Sequence, residues 1–350
     1  MCGIIGYLNK KGNQEYPVGQ TLYRMLQALS CRGPDSAGVA VFGPKQGFLV
    51  LQIKYPESLT PANAARAILE ALRETVAIIR HQIIGAYLRL EVESATDVVA
   101  LEEQLLLRVT GCEIVSLGHQ LEIVKQVGSP AQLEKSYGVS RRQGTHGIGH
   151  TRLSTESRVD LSHSQPFWAH GVPDLATVHN GHITNYHKLR RLYEQQGYRF
   201  YTENDSEVIG VYLRCCLEHK LSLEDALRSS LDDFDGSFSY LAASGDMLAY
   251  VRDRYGFKPL MIAETEDFVA IATEEIALRQ TLGEDFVAYE PPPGTIGFWN
   301  VKKEIDVATA SGYSRNPMET QPGERHHHRG KGPYSRLGGR LGIISSLGTL

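Results

Sequence analysis

The sequence lacks the features that would place the protein in a membrane or in an oxidising compartment. No run approaches the roughly 18 consecutive apolar residues of a transmembrane helix, and the start, MCGIIGYLNKK, has no basic segment ahead of a long apolar core. The cysteines are odd in number and show no CxxC spacing: Cys2, Cys31, Cys112, Cys215 and Cys216. We therefore expect reduced thiols, no disulfide framework, no metal site and a cytoplasmic location.

An excess of positive charge is missing from most of the chain. The 350 residues carry a net charge of −4, yet five basic residues and no acidic residue follow Glu324. This balance argues against nucleic acid as a partner of the main body. Residues 310–350 are rich in Gly, Ser, Arg and Pro and cannot bury enough apolar surface to fold alone. They are either a disordered or vector-derived end or an arm that orders on a partner subunit.

The order of the elements predicts an α+β protein. Residues 2–8 are predicted to form a buried strand. Helices are expected at residues 20–31, 187–196, 206–219 and 222–231. Four short strands between residues 237 and 273 alternate as in an antiparallel sheet. Strands, then helices, then strands suggest two sheets sandwiched between helices.

A module is predicted at residues 60–140, inserted into a domain that spans residues 2–309. Its pattern predicts a helix over 62–82, a strand over 86–93, a helix over 97–109, and a hairpin formed by EIVSLG and LEIVKQV. A further hairpin, VAVFG with FLVLQI, is predicted just ahead of it. The module shows no catalytic constellation, so we expect it to pack against the domain or to dock a partner.

The second residue, Cys2, becomes the amino terminus once Met1 is removed. A thiol is a strong nucleophile that needs a base, and a free α-amino group with a reference pKa of about 7.7–8.0 suits that role at neutral pH. Cys2 can then hold both halves of a catalytic pair. The alternative is a small buried apolar residue, which is the commoner role of a free cysteine.

Three other segments contain residues suited to binding or catalysis. The guanidinium of Arg152, in GHTRLST, can read a carboxylate with two parallel hydrogen bonds, although a surface ion pair is the alternative. In HNG, the Asn180 amide and the Gly181 N–H can donate to one oxygen, as in an oxyanion hole, although HNG is also a common turn. Asp205, in ENDSEVI, either caps a helix or holds an ammonium group.

In this order the segments resemble the class II glutamine amidotransferases, the glutaminase domains with an N-terminal cysteine nucleophile. The resemblance covers residues 2–55 and 145–300 and rests on MCGIIGY, RGPDSAG, GHTRLST, HNG and ENDSEVI. It implies the four-layer αββα sandwich of the N-terminal nucleophile hydrolases.

The resemblance implies a catalytic role for three residues and a supporting role for a fourth. Cys2 would attack the side-chain amide of glutamine, with its own α-amino group as the base. Asn180 and the Gly181 N–H would hold the tetrahedral oxyanion, and Arg32 would brace the nucleophile strand and the oxyanion loop. Ammonia leaves, a thioester remains, and water then releases glutamate.

The resemblance also implies which residues bind the substrate. Arg152 would bind the carboxylate of glutamine and Asp205 its amino group, with Thr155 nearby. An arginine for the carboxylate and an aspartate for the ammonium would grip an α-amino acid by its head.

The parent enzyme is suggested by finer features. STES at 154–157 and SQPF at 164–167 resemble glutamate synthase glutaminase domains, and no ammonia-consuming domain is recognisable. The chain thus resembles the glutaminase subunits of multi-subunit glutamate synthase-type enzymes such as N-methylglutamate synthase. The resemblance implies no cofactor in this chain. It also implies a hetero-oligomer with a flavin-dependent synthase subunit, which would carry the flavin, with or without an iron–sulfur cluster, and receive the ammonia through a channel.

Two other classes stay open at this point. One is a free-standing amidohydrolase of γ-glutamyl compounds, for which ammonia release by the purified chain would not depend on any partner. The other is a non-catalytic scaffold subunit that kept the fold. A retained Met1 would favour the scaffold, because it would acylate the proposed base.

Overall fold

The computed structural model describes residues 2–93, 97–154 and 158–302, so Met1 and the predicted tail at 310–350 lie outside the described residues. The strands are β1 (Gly3–Asn9), β2 (Ser36–Phe42), β3 (Phe48–Lys54), β4 (Ile78–Ile84), β5 (Tyr87–Glu93), β6 (Glu113–Gly118), β7 (Leu121–Val127), β8 (His146–Arg152), β9 (Phe167–Trp168), β10 (Leu175–Ile183), β11 (Gly236–Ser244), β12 (Met247–Arg252), β13 (Met261–Glu264), β14 (Phe268–Ala272), β15 (Ala288–Tyr289) and β16 (Ile296–Asn300). The helices are α1 (Val18–Ala28), α2 (Pro61–Leu72), α3 (Val98–Arg108), α4 (Pro130–Tyr137), α5 (Tyr186–Gln195), α6 (Glu207–Glu218), α7 (Leu223–Asp233) and α8 (Glu275–Leu282). None of the helices in these segments is long and apolar enough to cross a membrane.

Three sheets organise the chain. The first sheet has the strand order β15-β13-β14-β1-β8-β2-β7, the second β16-β12-β11-β10-β9, and the third β4-β5-β3-β6. The four strands predicted between residues 237 and 273 are present and pair in antiparallel fashion, β11 with β12 and β13 with β14. They do not form one sheet, because the first pair lies in the second sheet and the other pair in the first. β1 lies inside the first sheet, between β14 and β8, and all seven of its residues are buried.

The first and second sheets lie face to face. β1 and β8 contact β10 and β11 across the interface. Gly6 of β1 packs so closely that an added Cβ would lie 3.1 Å from Leu241 and 3.2 Å from Leu248. Helices α1, α4 and α8 pack on the first sheet, while α6 and α7 pack on the second, with α5 against α6. The predicted α+β class and the αββα sandwich are confirmed.

The helices predicted outside the module are confirmed as α1, α5, α6 and α7. In α1 the buried apolar residues Val18, Leu22, Met25 and Leu26 follow the helical period, which gives the helix one face for the sheet. Helix α6 is buried over almost its whole circumference, from residue 207 to 213, because it lies between the second sheet and its neighbouring helices.

The third sheet is formed by the chain between β2 and β7. β3 and β5 lie at its centre and β4 and β6 at its edges. Helices α2 and α3 contact each other. Their buried residues Ile68, Leu72, Leu101 and Leu105 join the same hydrophobic core as the two central strands. The third sheet is therefore packed by its own pair of helices.

Both predicted hairpins are wrong. β2 pairs with β7 and β8, whereas β3 pairs with β5 and β6, so each supposed hairpin divides between two sheets. The two connections run side by side: the Gly43 N–H donates to the Gln120 carbonyl and the Gln46 N–H to the His119 carbonyl, both at 3.0 Å. A short connection is compatible with either a hairpin or a crossing between two sheets. Here the pairing of each strand is determined by strands that lie far away in the sequence.

The helix predicted over residues 62–82 is wrong in its second half. Helix α2 ends at Leu72, and IIRHQII at 78–84 forms β4. Isoleucine at both ends of this segment favours a strand. Gly85 adopts φ 58°, and the turn it makes lets Ile84 pair with Tyr87 of β5.

The bounds of the third sheet differ from those predicted for the module at residues 60–140. The third sheet begins with β3 and ends with β6, which corresponds to residues 48–118. β7 pairs with β2 in the first sheet, and α4 contacts both of these strands. Residues 121–137 therefore belong to the sandwich.

Asp174 fastens the return from the third sheet to the sandwich. Its carboxylate accepts hydrogen bonds from the N–H groups of His119, Gln120 and Leu121 at 2.9, 2.8 and 2.8 Å. Its own N–H donates to the Leu117 carbonyl at 3.1 Å. Asp174 has φ 55°, a conformation that Asp and Asn adopt more readily than most residues. One side chain thus joins the start of β10 to the connection between β6 and β7.

We expect Asp174→Asn to lower the free energy of unfolding by about 1–3 kcal/mol, because one N–H then loses its acceptor. Asparagine keeps the backbone conformation, so the change reports on the carboxylate. Urea denaturation of this variant beside Asp246→Asn, an exposed aspartate, measures the difference. Equal stability of the two variants would contradict this role of Asp174.

His146 is a buried imidazole between the first two sheets. Its Nε2 lies 2.6 Å from the Ser244 carbonyl of β11 and its Nδ1 lies 2.8 Å from the Thr145 hydroxyl. Its ring stacks on Phe42 with centroids 4.3 Å apart. Burial lowers the pKa of His146 from 6.5 to about 4. The folded protein therefore keeps this side chain neutral, with Nε2–H as the donor to Ser244.

This pKa predicts a loss of stability on acidification. The unfolded chain binds a proton near the reference pKa of about 6.5 and the folded chain only near 4, so stability falls as the pH drops through that window, by about 2 kcal/mol between pH 7 and pH 5. Urea denaturation at several pH values measures the slope. We expect His146→Gln to reduce the slope and His187→Gln, at an exposed position, to keep it; equal slopes in the two variants would refute the assignment.

Candidate active site

Cys2 lies at the start of the central strand β1. Gly3 pairs with Thr151 of β8, and the Cys2 Sγ lies 3.7 Å from the Leu153 carbonyl, just past the end of β8. An added Cβ at Gly3 would lie 2.8 Å from the Thr151 hydroxyl and 3.1 Å from Leu29, so the backbone approaches its neighbours closely here. Cys2 itself is partly exposed. The sandwich thus holds a thiol at the end of a buried strand where a small molecule can reach it.

The turn RGPDSAG braces this strand end. The Arg32 Nε donates to the Cys2 carbonyl at 3.3 Å, and its Nη1 pairs with Glu274, the residue before α8. Gly33 lies so close to β8 that an added Cβ would overlap the backbone of Thr151 and Arg152. Arg32 therefore joins the residue ahead of β1 to the start of α8, while its bracing of the oxyanion loop stays a prediction. The role of Glu274 as the partner of Arg32 is not predicted by any motif in the sequence.

Asp35, in the same turn, fixes the end of β8. Its N–H donates to the Arg152 carbonyl at 3.0 Å, and its carboxylate accepts the Ser154 N–H at 2.7 Å. Asp35 belongs to the RGPDSAG motif, but this role of its carboxylate is not evident from the sequence. Its contacts show that RGPDSAG and GHTRLST form one structural unit around Cys2.

Arg152 is a buried cation beside Cys2. It is 4% exposed, and its Nη1 donates to the Arg158 carbonyl at 2.7 Å. Burial lowers the pKa of its guanidinium below its usual range, while the proximity of Cys2 and of the Asp160 and Asp35 carboxylates opposes the change. The group stays charged at any physiological pH. Arg152 is thus placed to bind an anionic group next to the thiol, whereas Thr155 lies outside the described residues.

Asn180 and Gly181 lie on β10, which contacts β1 across the sheet interface. Asn180 is 4% exposed, and its Nδ2 has no hydrogen-bond partner within the described part of the chain. Gly181 has φ 144°, and an added Cβ would overlap the Ser237 carbonyl oxygen. Buried amides normally have a partner, so this Nδ2 is a donor available to a molecule that binds at the site.

A hydrogen-bond network holds this part of β10. The His179 N–H donates to the Gln165 side chain at 2.6 Å, and the His179 carbonyl accepts from Gln165 at 3.2 Å and from His150 at 3.1 Å. The Ser206 hydroxyl lies 2.8 Å from His179 Nδ1 and 3.0 Å from Gln165 Nε2. These four residues were missed as functional supports, although each falls within a motif. They lock the backbone on which Asn180 is carried.

The two buried histidines of this network are neutral. Burial lowers the pKa of His150 to about 3 and also lowers the pKa of His179 below 6.5. An imidazole with a pKa near 3 is a poor proton acceptor at neutral pH. His150 therefore contributes to the site through its hydrogen bond to the His179 carbonyl.

Asp205 lies just ahead of α6 and contacts the end of β10 in the second sheet. Its carboxylate accepts the Ile183 N–H at 2.9 Å, at the end of β10, and its other oxygen lies 3.7 Å from His179 Nδ1. The side chain is 20% exposed. Helix α6 has Ser206 at its N-cap and no side-chain capping bond, so the capping alternative is wrong. A partly exposed carboxylate remains for a cationic group.

The loop after β12 supports the partner strand of β10. Asp253 accepts the Phe238 N–H at 2.9 Å, and Phe238 pairs with Gly181. The Ser239 hydroxyl, opposite Asn180, donates to the Lys258 carbonyl at 3.3 Å. The loop therefore fixes β11 next to Asn180 and Gly181.

Together these contacts place four chemical groups at one end of the sandwich: a thiol, a guanidinium, an unpaired amide and a carboxylate. Cys2 adjoins Arg152 through the β1–β8 pairing, His150 links β8 to β10, and Asp205 binds the end of β10. Across residues 2–93, 97–154 and 158–302, no group of three or more His, Cys, Asp or Glu side chains could hold a metal ion. Such a set suits nucleophilic attack on a carbonyl group of a zwitterionic molecule.

Comparison with known proteins identifies relatives over most of the chain. A family model described as a glutamine amidotransferase domain matches residues 150–280. A putative glutamine amidotransferase of Methanothermobacter thermautotrophicus is 34% identical over 312 residues, which are 86% of this chain and 100% of that protein. The glutamine amidotransferase-like protein GlxB of Rhizobium meliloti is 34% identical over 315 residues, 87% of this chain and 99% of that protein.

A more distant likeness links the chain to larger enzymes. The amidophosphoribosyltransferase of Methanocaldococcus jannaschii is 34% identical over 180 residues, which are 51% of this chain and 38% of that protein. The glutamine phosphoribosylpyrophosphate amidotransferase of B. subtilis superposes with a TM-score of 0.56 at 19% identity, covering 85% of this chain and 47% of that one. At this identity the superposition supports the fold alone.

The relatives matched over nearly their whole length and the N-terminal nucleophile fold agree with the resemblance drawn from the motifs. Cys2, the proposed nucleophile, lies where the central strand begins. The chain therefore belongs to the class II glutamine amidotransferases.

Proposed function

We propose that this chain is a glutaminase subunit that hydrolyses glutamine to glutamate and ammonia through a thioester on Cys2. The observation that carries the proposal is the partly exposed Cys2 thiol beside the buried Arg152 guanidinium, at the interface where Asn180 presents an unpaired amide. A nucleophile, an anion-binding group and an oxyanion donor are the parts that acyl transfer from an amide needs.

The reaction begins at the processed amino terminus. After removal of Met1, the α-amino group of Cys2 takes the thiol proton, and the sulfur bonds to the amide carbon of glutamine. The α-ammonium group gives that proton to the amide nitrogen as the carbon–nitrogen bond breaks, and the nitrogen leaves as ammonia. Water, losing a proton to the α-amino group, attacks the thioester; the carbon–sulfur bond breaks, glutamate leaves, and the sulfur regains a proton. The low pKa of His150, about 3, supports the assignment of the base to the amino group.

The oxyanion formed in this attack needs two donors. Asn180 Nδ2, which lacks a partner in the described structure, and the Gly181 N–H would supply them. The network of His179, Gln165 and Ser206 fixes the strand in advance, so the donors need no rearrangement when the charge appears.

The head group of glutamine would lie between two charges. Arg152 would bind the α-carboxylate in a forked pair of hydrogen bonds, and Asp205 would bind the α-ammonium. Arg152 is anchored through Arg158 and Asp205 through Ile183. Thr155 remains a prediction for the same pocket.

The ammonia would pass to a separate synthase subunit of the glutamate synthase or N-methylglutamate synthase type. That subunit would carry a flavin, with or without an iron–sulfur cluster, in a cytoplasmic hetero-oligomer. Coverage supports a separate glutaminase: the chain spans 100% and 99% of two glutamine amidotransferase relatives but 38% of an amidophosphoribosyltransferase. The STES and SQPF segments favour the glutamate synthase type.

We expect Asn180→Ala to lower kcat by about 10²–10³-fold with little change in KM, because the lost donor acts on charge that exists only in the transition state. Ammonia release by the purified variant measures the effect. Asn300→Ala, at an exposed position far along the second sheet, is the matched control. A change in KM alone would argue against an oxyanion donor.

We expect Arg152→Lys and Asp205→Asn each to raise KM for glutamine by about tenfold or more, because each weakens a charged contact with the substrate head. Initial rates over a range of glutamine concentrations give KM and kcat separately. Arg158→Ala serves as the control for Arg152, since its side chain is exposed and only its carbonyl is used. An unchanged KM in both variants would remove the head-group assignment.

The partner can be tested by purification from native cells. We expect the chain to co-purify with a flavoprotein, identified by mass spectrometry and by flavin absorbance, and its ammonia release to rise in that complex. A lone homo-oligomer with full activity would favour a free-standing γ-glutamyl amidohydrolase. A folded chain without glutaminase activity in any complex would favour a scaffold.

A further inference from the structure

The third sheet and its helices touch the loop that carries Asp205. Among the described residues, this contact is made by Glu102 of α3, which is 6% exposed and lies on the buried face with Leu101 and Leu105. We propose that Glu102 is a positioning residue that sets the affinity for glutamine by holding the loop of residues 201–205. The inference rests on the proposed function, because it takes Asp205 as the group that binds the substrate amino group.

Glu102 binds two aromatic side chains at once. Its Oε1 lies 2.6 Å from His170 Nδ1 and accepts the Tyr201 hydroxyl at 2.7 Å. The rings of His170 and Tyr201 stack with centroids 4.2 Å apart. His170 is fixed in turn, because its carbonyl accepts from Arg214 of α6 at 3.2 Å. One carboxylate thus joins α3 to the start of the Asp205 loop and to α6.

Glu102 and His170 each shift the pKa of the other toward its charged form. Burial alone would raise the pKa of the Glu102 carboxyl, but the charge and hydrogen bond of His170 outweigh it and hold the pKa below 4.5. Burial would lower the pKa of His170, but Glu102 raises it above 6.5. A buried ion pair gives little net stability compared with apolar packing, yet it fixes the relative position of its members. This balance favours a positioning role over a purely stabilising one.

The path from Tyr201 to Asp205 is short and continuous. The N–H groups of Tyr201 and Thr202 donate to the Glu207 carboxylate at 2.7 and 2.8 Å. The Thr202 hydroxyl accepts the Asn204 N–H at 3.1 Å. Asp205 follows directly and binds the end of β10. A displaced Tyr201 would therefore disturb the loop within four residues of the proposed ammonium-binding carboxylate.

The strands of the third sheet make a second contact that supports the same idea. Lys54 of β3 and Glu113 of β6 both bind the Ser162 hydroxyl, which lies in the segment after Arg152. The Asn204 side chain donates to the His163 carbonyl at 3.3 Å and so joins this segment to the Asp205 loop. The third sheet and α3 thus contact both segments that hold the residues proposed to bind the substrate head group, the segment after Arg152 and the loop that carries Asp205.

The test is a kinetic series in the full-length chain: Glu102→Ala, Glu102→Gln, Tyr201→Phe and the pair Glu102→Ala with Tyr201→Phe. We expect Glu102→Ala and Tyr201→Phe to raise KM for glutamine by roughly five- to tenfold with kcat within about twofold. Glu102→Gln should restore most of the affinity, since its amide can accept from Tyr201 and donate to a neutral His170. The double variant should be no worse than the more affected single variant, because both changes break one path.

Controls separate this role from simple loss of stability. Glu103→Ala, on the exposed face of the same helix, should leave KM unchanged. Tyr201→Phe keeps the ring, so it tests the path even where Glu102→Ala folds poorly. An unchanged KM in folded Tyr201→Phe would overturn the proposal. So would variants in which the melting temperature and kcat both fall while KM stays the same. If Asp205→Asn raises KM while these variants do not, the positioning role fails alone; if Asp205→Asn has no effect, the proposed function fails first.

Discussion

The pairing of β1 with β8 is the contact on which the rest of the site depends. It sets Gly3 opposite Thr151 and so brings the Cys2 thiol beside the Arg152 guanidinium. Glycine at position 3 suits this close approach, because an added Cβ would lie 2.8 Å from the Thr151 hydroxyl and 3.1 Å from Leu29. The seven buried residues of β1 hold the strand rigidly in the sheet. The proposed nucleophile is therefore partly exposed at the end of a strand that is buried along its whole length.

The second sheet supplies the complementary half. Its strand β10 carries Asn180 and Gly181, and the buried network around His179 keeps the backbone fixed without placing a charge there. The proposed site groups are divided between the two sheets. The proposed nucleophile Cys2 and the Arg152 guanidinium lie at the end of the β1–β8 pair in the first sheet. Asn180 lies on β10 of the second sheet, and the Asp205 carboxylate is bound to the end of that strand. Glu102 adds a contact from outside the two sheets, because it binds Tyr201 and so connects the loop that carries Asp205 to α3.

Local sequence predicted the family, the sandwich and the main helices, because strand ends, turns and helical periods are properties of neighbouring residues. The motifs could be recognised because each is a continuous run of residues, although the contact that joins two of them, Asp35 with Ser154, spans 119 positions of the chain. Strand partners could not be read, since β2 pairs with β7 and β3 with β6 across separations of more than fifty residues. The contact between Glu102 and Tyr201 was hidden in the same way, as was the role of Glu274 beside Arg32.

The central claim is that one processed terminal residue provides both the nucleophile and the base. It is tested most directly by treating active protein with a diazoketone analogue of glutamine and sequencing the labelled peptide by mass spectrometry. The account predicts loss of activity in step with one adduct per chain, on Cys2, in a peptide that begins at Cys2. Active protein whose terminal peptide still carries Met1, or inactivation with the adduct elsewhere and Cys2 unmodified, would contradict it.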